Sequence, residues 1–168
     1  MELSHTLHAI LADTTCIVGI GNYLRSDDAV GLEIVDELKD CARSERVSVI
    51  NAEDVMESFL GDIRGTGARN VIIIDAVSSV SEPGNVVFGR LDDFDELIGG
   101  YSTHKLALKL ACQTLADAGQ RVYLLGIGIM TNEIGVGLSA NVRRTADTLA
   151  GILAHIIKSS HKEYVYVQ

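Results

Sequence analysis

Several features that would assign a protein to a membrane or to nucleic acid are missing from this sequence. No stretch approaches the ~18 uninterrupted apolar residues of a membrane span. Residues 1–8 contain no Lys or Arg before an apolar run, so we predict no secretory signal. Basic residues are scarce, 14 against 23 acidic ones, and the formal net charge is −9. Because binding to phosphates requires a basic face, a nucleic-acid partner is not expected.

Cysteine is also scarce. The three cysteines are far apart and form no Cys-x-x-Cys pair. Cys16 lies in an apolar stretch typical of a strand and Cys112 in one typical of a helix, where thiols are commonly buried as small hydrophobic groups. The spacing indicates neither a disulfide framework nor a cysteine metal site, and it predicts a reducing, cytoplasmic setting.

Proline is almost absent, with one residue against sixteen glycines, which fits a compact fold with tight turns. With 168 residues and 47% hydrophobic composition, the chain is predicted to form one domain over 1–168, with its core at about 15–157. No conformation is predicted for the tail at 159–168. Strands are predicted at 15–20, 47–50, 71–74, 86–88 and 121–125, and helices at 28–39, 55–63, 105–117 and 139–157. This alternation predicts a three-layer α/β/α architecture with a mostly parallel sheet.

The most informative segment is the glycine-rich turn at 19–31, which follows the first predicted strand and opens the first predicted helix. It delivers two adjacent carboxylates, Asp27 and Asp28, to the carboxyl end of a strand, where open α/β sheets build their ligand sites. A structural interpretation also exists, because the helix dipole favours acids in the first turn. Ser26 or Asp27 is expected to be the N-cap of that helix.

Three polar residues are predicted to meet at one edge of the sheet. Asp28 follows the first predicted strand, Asp75 follows the third, and His104 opens the third predicted helix. If the strands are parallel and adjacent, all three face one crevice, and two carboxylates with an imidazole suit a divalent first-row metal. Each also has a structural interpretation by itself: a helix-terminal acid, a turn cap and a capping-region histidine. Their coincidence at one edge favours a shared site.

Other common chemistries are not indicated. A dinucleotide site at Gly19-Ile-Gly21 fails because the third glycine is replaced by Leu24, and because acids at 27 and 28 repel a pyrophosphate. The chain has no P-loop sequence and no Gly-x-Ser-x-Gly nucleophile elbow. We therefore expect no nucleotide cofactor and no serine or cysteine nucleophile.

These elements resemble the hydrogenase maturation proteases, which trim the carboxyl-terminal extension from the large subunit of NiFe hydrogenases. That family's pattern Gly-x-Gly-Asn-x-Leu-x-x-Asp-(Asp/Glu)-x-x-Gly is matched by Gly19, Gly21, Asn22, Leu24, Asp27, Asp28 and Gly31. An apolar strand ending in Asp-Ala is matched at 72–76, a Pro-Gly turn at 83–84, and a Ser/Thr-Thr/Pro-His element before an apolar helix at 102–106. Order and spacing agree over about 15–157, and the combination is specific although no single element is.

The resemblance implies a sheet of about five strands and an endopeptidase that acts on a NiFe hydrogenase large-subunit precursor after nickel insertion. It implies that Asp28, Asp75 and His104 engage the nickel of the precursor, a site that other divalent metals also fit. We expect Asp28 and Asp75 to be catalytic, with Asp75 as a candidate base for an attacking water. Asn22 and Thr103 are predicted to contact the substrate. A monomer without membrane insertion is expected.

Some positions and some alternatives remain open. The resemblance implies that Asp27 braces the turn, and Asn22 either does the same or touches substrate. The segment 51–54 replaces a glycine-rich turn of many relatives, and Ala29-Val30 stands where many have a glycine after the acids. Two further functions stay possible at this point: a metal-dependent amidohydrolase acting on small amides, and a non-catalytic checkpoint or chaperone that binds the nickel-loaded precursor.

Overall fold

A computed structural model describes four stretches of the chain, at 3–41, 46–78, 82–94 and 103–162. At positions 92, 94, 103–105 and 160–162 the description is confined to the backbone.

Within these stretches, five strands form one sheet. They are β1 (Thr15–Gly19), β2 (Val47–Asn51), β3 (Asn70–Val77), β4 (Val86–Arg90) and β5 (Arg121–Gly128). Their order across the sheet is β2-β1-β3-β5-β4, with β4 antiparallel to β5 and the other pairs parallel. The predicted α/β class with a mostly parallel five-stranded sheet is confirmed.

Helices cover both faces of this sheet. The α-helices of the described stretches are α1 (Leu3–Leu11), α2 (Val30–Leu38), α3 (Leu60–Gly65), α4 (Thr103–Asp117) and α5 (Ala140–Lys162). Short 3-10 turns occupy Ser26–Ala29, Met56–Phe59 and Leu91–Phe94. Among the helices that the structure describes, none has the length and apolarity that crossing a bilayer requires.

The sheet separates two apolar cores, because side chains of a strand alternate between its faces. Ile17, Ile72 and Ile74 point to the face covered by α1, α2 and α5. Val18 and Ile73 point to the face covered by α3 and α4. All five side chains are fully buried, which explains why both strands have apolar side chains on consecutive residues without polar alternation.

The structure differs from the predicted elements mainly at their ends. Helix α1 was not predicted, although Leu7 and Leu11 are fully buried against the first core. Strands β3 and β5 continue past the predicted ends at 74 and 125, and β5 includes both glycines of Gly126-Ile-Gly128. Both extensions arise because the two strands pair with each other along their whole length. The end of the tail, at 163–168, lies outside the described residues.

Candidate functional site at the carboxyl edge of the sheet

The turn between β1 and α2 carries the two adjacent acids, and a glycine lets it fold tightly. Gly21 has a φ of +146°, and a Cβ at this position would stand 1.8 Å from the backbone oxygen of Asp28. The Gly21 N–H donates to the backbone oxygen of Glu53 at 3.0 Å, which ties the turn to the segment after β2. The chain can return this closely on itself only because residue 21 has no side chain.

Gly31 brings the first turn of α2 against the ends of β1 and β3. A Cβ at Gly31 would lie 2.3 Å from the backbone oxygen of Ile74 and 2.5 Å from that of Ile20. The Ile20 N–H donates to the Ile74 oxygen at 2.9 Å, so the two strands stay joined past the last residue of β1. The 3-10 turn that contains half-buried Asp28 therefore packs beside the carboxyl end of β3.

Asp75 lies within β3 and not after its end, which corrects the predicted boundary. It pairs with Gly126 of β5, and the pairing continues to Val77. β1 ends opposite Ile74, so Asp75 is the first β3 residue beyond the pairing with β1. The side chain is half-buried, and its Oδ1 accepts a hydrogen bond from the Ala76 N–H at 2.8 Å. Asp28, in the turn after β1, and Asp75, near the end of β3, therefore lie at the same edge of the sheet. The sequence predicted this shared edge on the condition that the two strands are adjacent, and the structure shows that they are.

Helix α4 runs past Asp75 and starts at the same edge of the sheet. Burial, and to a smaller extent the negative charge of Asp75, raise the pKa of the Cys112 thiol on this helix to about 12. The helix ends shortly before β5 begins at the amino edge, so its 15 residues lead back to the carboxyl edge. Thr103 and His104 are its first two residues.

The side chains of Thr103 and His104 lie outside the described residues. Where side chains are described, no group of three His, Cys, Asp or Glu side chains is arranged to hold a metal ion. The set formed by Asp28, Asp75 and His104 therefore stays a prediction. The structure brings the backbone segments that carry these three residues to one edge of the sheet.

Asp27 has a different role from its neighbour, because its carboxylate is fully buried and holds a distant loop. Oδ1 accepts from the Ser139 N–H at 2.6 Å, and Oδ2 accepts from the Ser139 hydroxyl at 2.9 Å. Oδ2 also accepts from the N–H groups of Met130 and Thr131 at 3.0 and 3.3 Å. Four donors compensate for the loss of water around this charge. Asp27 braces the site turn against the loop between β5 and α5.

The prediction that Ser26 or Asp27 caps the amino end of α2 is wrong. Ala29 occupies the cap position of α2, and no side chain caps the helix there. Ser26 has a φ of +50° within the preceding 3-10 turn, and its hydroxyl donates to the backbone oxygen of Glu133 at 3.1 Å. Both candidate caps, Ser26 and Asp27, are engaged by the loop between β5 and α5, more than 100 residues away in the sequence.

Asn22 also braces its own turn. Its Oδ1 accepts from the Leu24 N–H at 2.9 Å, and its Nδ2 donates to Oδ2 of Asp54 at 3.3 Å. Residues 21–24, Leu32 and 53–54 line a cavity of about 200 Å³ beside this asparagine. Asn22 therefore fills the bracing role that the sequence left open. A contact between Asn22 and a substrate stays a prediction.

A polar network that the sequence did not predict connects this turn to β2. The Tyr23 hydroxyl hydrogen-bonds to the Asp36 carboxylate, and Nδ2 of Asn51 donates to that hydroxyl at 2.6 Å. Lys39 forms an ion pair with Asp36 at 2.6 Å. Burial, and then the hydrogen bond to Asp36, raise the pKa of Tyr23 to about 12. The only sequence signal was the polar character of residues 51–54, which does not indicate which side chains these residues contact.

The loop at 129–139 was also missed. No role was predicted for it, although it provides all four donors to Asp27. The available signals were Gly135 and Gly137, which mark a turn, and the serine just before α5. None of these signals indicates which acid the loop would contact.

In open three-layer α/β sheets, ligands bind outside the carboxyl ends of the strands, which is the edge where Asp28 and Asp75 lie. A family model described as HycI, hydrogenase maturation protease, matches residues 32–156, which is more than half of the chain. The chain belongs to the hydrogenase maturation protease family, and the family membership makes it a peptidase.

Individual relatives agree with this assignment. The protein MJ0253 of Methanocaldococcus jannaschii, provisionally named as a hydrogenase maturation protease, is 30% identical over 149 residues, with 84% of this chain and 95% of that protein covered. Among solved structures, the NiFe hydrogenase maturation protease HycI of Thermococcus kodakarensis superposes with a TM-score of 0.80 at 26% identity, covering 91% and 99% of the two chains. The hydrogenase maturating endopeptidase HybD of E. coli has a TM-score of 0.70 at 23% identity, over 89% and 93%, and shows the shared fold.

Proposed function

We propose that this protein is the endopeptidase that removes the carboxyl-terminal extension of a NiFe hydrogenase large-subunit precursor after nickel has been inserted. The observation that carries the proposal is that the turn carrying Asp28 packs against β3, which carries Asp75 near its carboxyl end, in a hydrogenase maturation protease. Carboxylates brought together in this way repel each other, and a cation relieves the repulsion. The nickel of the precursor is such a cation, and it arrives as part of the substrate.

In the proposed reaction, Asp28, Asp75 and His104 bind the nickel of the precursor and hold the neighbouring peptide bond in register for attack by water. The metal polarises the carbonyl or activates the water, and Asp75 accepts the proton. The water oxygen bonds to the carbonyl carbon, the C–N bond breaks, and the proton passes to the leaving amine. A precursor without nickel offers nothing for the two carboxylates to bind, so cleavage follows metal insertion.

Further parts of the proposal concern the surroundings of the site. Asn22 lines the cavity beside the turn, which supports a contact with the precursor. Thr103 precedes His104 at the start of α4 and is proposed to contact the same substrate. We also propose a cytoplasmic monomer without a nucleotide cofactor. The free cysteines Cys16, Cys41 and Cys112 fit that reducing compartment.

The test is the mass of a cognate large-subunit precursor after incubation with this protein, with and without nickel. We expect a shorter product only from the nickel-loaded precursor. The matched control is Asp75→Asn, which keeps the shape of the side chain but removes the charge. Equal cleavage of both precursor forms would overturn the nickel requirement.

The same experiment separates the alternatives. A stable complex with an intact extension would indicate a checkpoint that binds and does not cut. Turnover of short peptides with added metal, in the absence of any folded precursor, would indicate an amidohydrolase acting on small amides. Membership of a peptidase family supports the endopeptidase over both.

A further inference from the structure

Four large apolar side chains lie exposed on two segments beside the candidate site. Leu24 is 66% exposed, Met130 72%, Ile134 88% and Val136 89%. We call these four residues the apolar rim. Single exposed apolar residues are common on protein surfaces, but a group of them on adjoining segments is characteristic of a binding surface.

Backbone hydrogen bonds hold the two segments of the rim together. The Gly135 N–H donates to the Leu24 oxygen at 3.0 Å, and the Ser26 N–H donates to the Gly135 oxygen at 2.9 Å. Arg25 and Gly135 form a parallel β-bridge, which places Leu24 on one strand-like segment and Ile134 and Val136 on either side of the bridge on the other. The rim is therefore a built surface whose side chains are presented to solvent by an ordered backbone.

The rim is continuous with the site. Met130 donates its N–H to Asp27, the residue directly before Asp28. Leu24 lies four residues before Asp28 in the same turn. A protein substrate whose peptide bond reaches Asp28 therefore approaches the turn that also carries Leu24.

We propose that the apolar rim is the docking surface for an apolar patch of the hydrogenase precursor next to its cleavable extension. The inference rests on the proposed function, and it adds the surface by which the enzyme selects a folded protein instead of a free peptide. The whole chain carries a formal charge of −9, whereas the four rim side chains are apolar and present area for a hydrophobic contact with the partner. The rim adjoins the turn that carries Asp28, and this continuity favours the substrate of the site over a second copy of the chain as its occupant.

The test uses the double variant Ile134→Asp/Val136→Asp. Both side chains are almost fully exposed, so the variant is expected to fold like the wild type. We expect the KM for the nickel-loaded precursor to rise at least about tenfold, while kcat changes by less than about twofold, because the rim contributes to binding and not to bond cleavage. The exchange variant Ile134→Val/Val136→Ile keeps the surface apolar, and its KM should equal that of the wild type.

A matched control makes the same change in formal net charge far from the rim, by adding one negative charge and removing one positive charge. His155→Asp/Lys158→Gln changes exposed positions on α5. Residue 155 lies 15 residues after Ala140, or about 22 Å along the helix. We expect this variant to cleave like the wild type. An equal rise in KM in the control would show a general charge effect and overturn the proposal.

Two further outcomes would also overturn it. One is a KM within about twofold of the wild type in the rim variant. The other is a wild-type dimer in sedimentation that the rim variant abolishes while its KM is unchanged, which would assign the rim to self-association. Failure of the wild-type protein to cut any nickel-loaded precursor would instead contradict the proposed function itself.

Discussion

The amino and carboxyl edges of the sheet both carry aspartates, but the partners of these aspartates differ. At the amino edge, Oδ2 of Asp13 lies 3.0 Å from Arg121 and 3.6 Å from Arg69. The hydrogen bond from the Thr14 N–H, followed by the two guanidinium charges, holds the pKa of Asp13 below its ordinary value. At the carboxyl edge, Asp27 is fully buried and accepts only from backbone N–H groups and a hydroxyl in the contacts described above.

This difference shows what each edge is built to do. The amino edge joins α1, β3 and β5 through ion pairs between side chains that remain partly exposed, so each pair contributes little by itself. At the carboxyl edge, a buried carboxylate holds a loop, whereas Asp28 in the same turn and Asp75 on β3 are only half-buried. The charged groups at the amino edge are paired with one another, and the carboxyl edge is the one at which we propose the active site.

The largest effect is expected from replacing the half-buried aspartates. Asp28→Asn and Asp75→Asn should each lower cleavage of the nickel-loaded precursor by at least about a hundredfold, the scale of losing a group that stabilises charge during reaction. Mass spectrometry of the precursor measures this effect, and circular dichroism checks folding. The matched variant at the other edge, Asp13→Asn, should cleave normally and melt at a slightly lower temperature. Loss of cleavage in Asp13→Asn would remove the functional distinction between the edges.

Asp27→Ala should show the largest loss of stability. It leaves the N–H groups of Met130, Thr131 and Ser139 without their acceptor, and we expect about 3 kcal/mol of lost unfolding free energy. Loss of a helix cap alone would cost about 1 kcal/mol. Urea unfolding measures the difference, with Asp28→Ala as the control for a partly exposed neighbour. A loss no greater than that of Asp28→Ala would show that the loop holds its position without Asp27.

Two glycine substitutions, one at each edge of the sheet, test the same difference between the edges with smaller expected losses of unfolding free energy. Gly21→Ala would place a methyl group 1.8 Å from the Asp28 oxygen, and the required shift should cost about 2 kcal/mol and reduce cleavage. Gly67, at the amino edge, has a φ of +68° with open space around its Cβ position. Gly67→Ala should cost about 1 kcal/mol through backbone strain and leave cleavage unchanged. Thermal unfolding and precursor cleavage are measured for both variants side by side. Equal losses of stability and of cleavage in the two variants would contradict the difference between the two edges.

The smallest effect concerns the thiols. Burial raises the pKa of Cys16, as it does that of Cys112, to about 12. We therefore expect iodoacetamide at pH 8 to modify the partly exposed Cys41 alone in the folded protein, because the thiolate is the reactive form. Peptide mapping with and without urea measures this pattern. Asp75→Asn should lower the pKa of Cys112 slightly and still leave it unreactive, since burial is the larger cause.

Much of the fold and part of the site followed from local sequence patterns. The apolar run at 71–74 predicted a doubly covered strand, and all four of its side chains are fully buried. The glycine-rich turn predicted that Asp28 would follow β1, and the structure places it there. Helix α1 was missed because nine residues with a histidine in the last turn give a short and ambiguous pattern.

The contacts of Asp27 were beyond the reach of local patterns. An aspartate before a helix predicts an N-cap, because most such acids satisfy nearby N–H groups. Here the donors come instead from Met130 and Ser139. These residues lie near Asp27 only after β1, β3 and β5 have assembled side by side. Four hydrogen bonds to a buried carboxylate stabilise the fold more than one helix cap does, so the tertiary contacts form in place of the local cap.

By itself, the sequence determined the α/β class, the positions of Asp28 in the turn after β1 and of Asp75 after the apolar run of β3, and the resemblance to the hydrogenase maturation proteases. These follow from the periodicity of apolar residues and from motifs whose members lie within a few residues of each other. Only the tertiary structure decided that Asp27 holds a loop and that this loop and Leu24 form one apolar rim. Such contacts join segments more than 100 residues apart, and only sheet order and register, which depend on packing the whole core, bring those segments together.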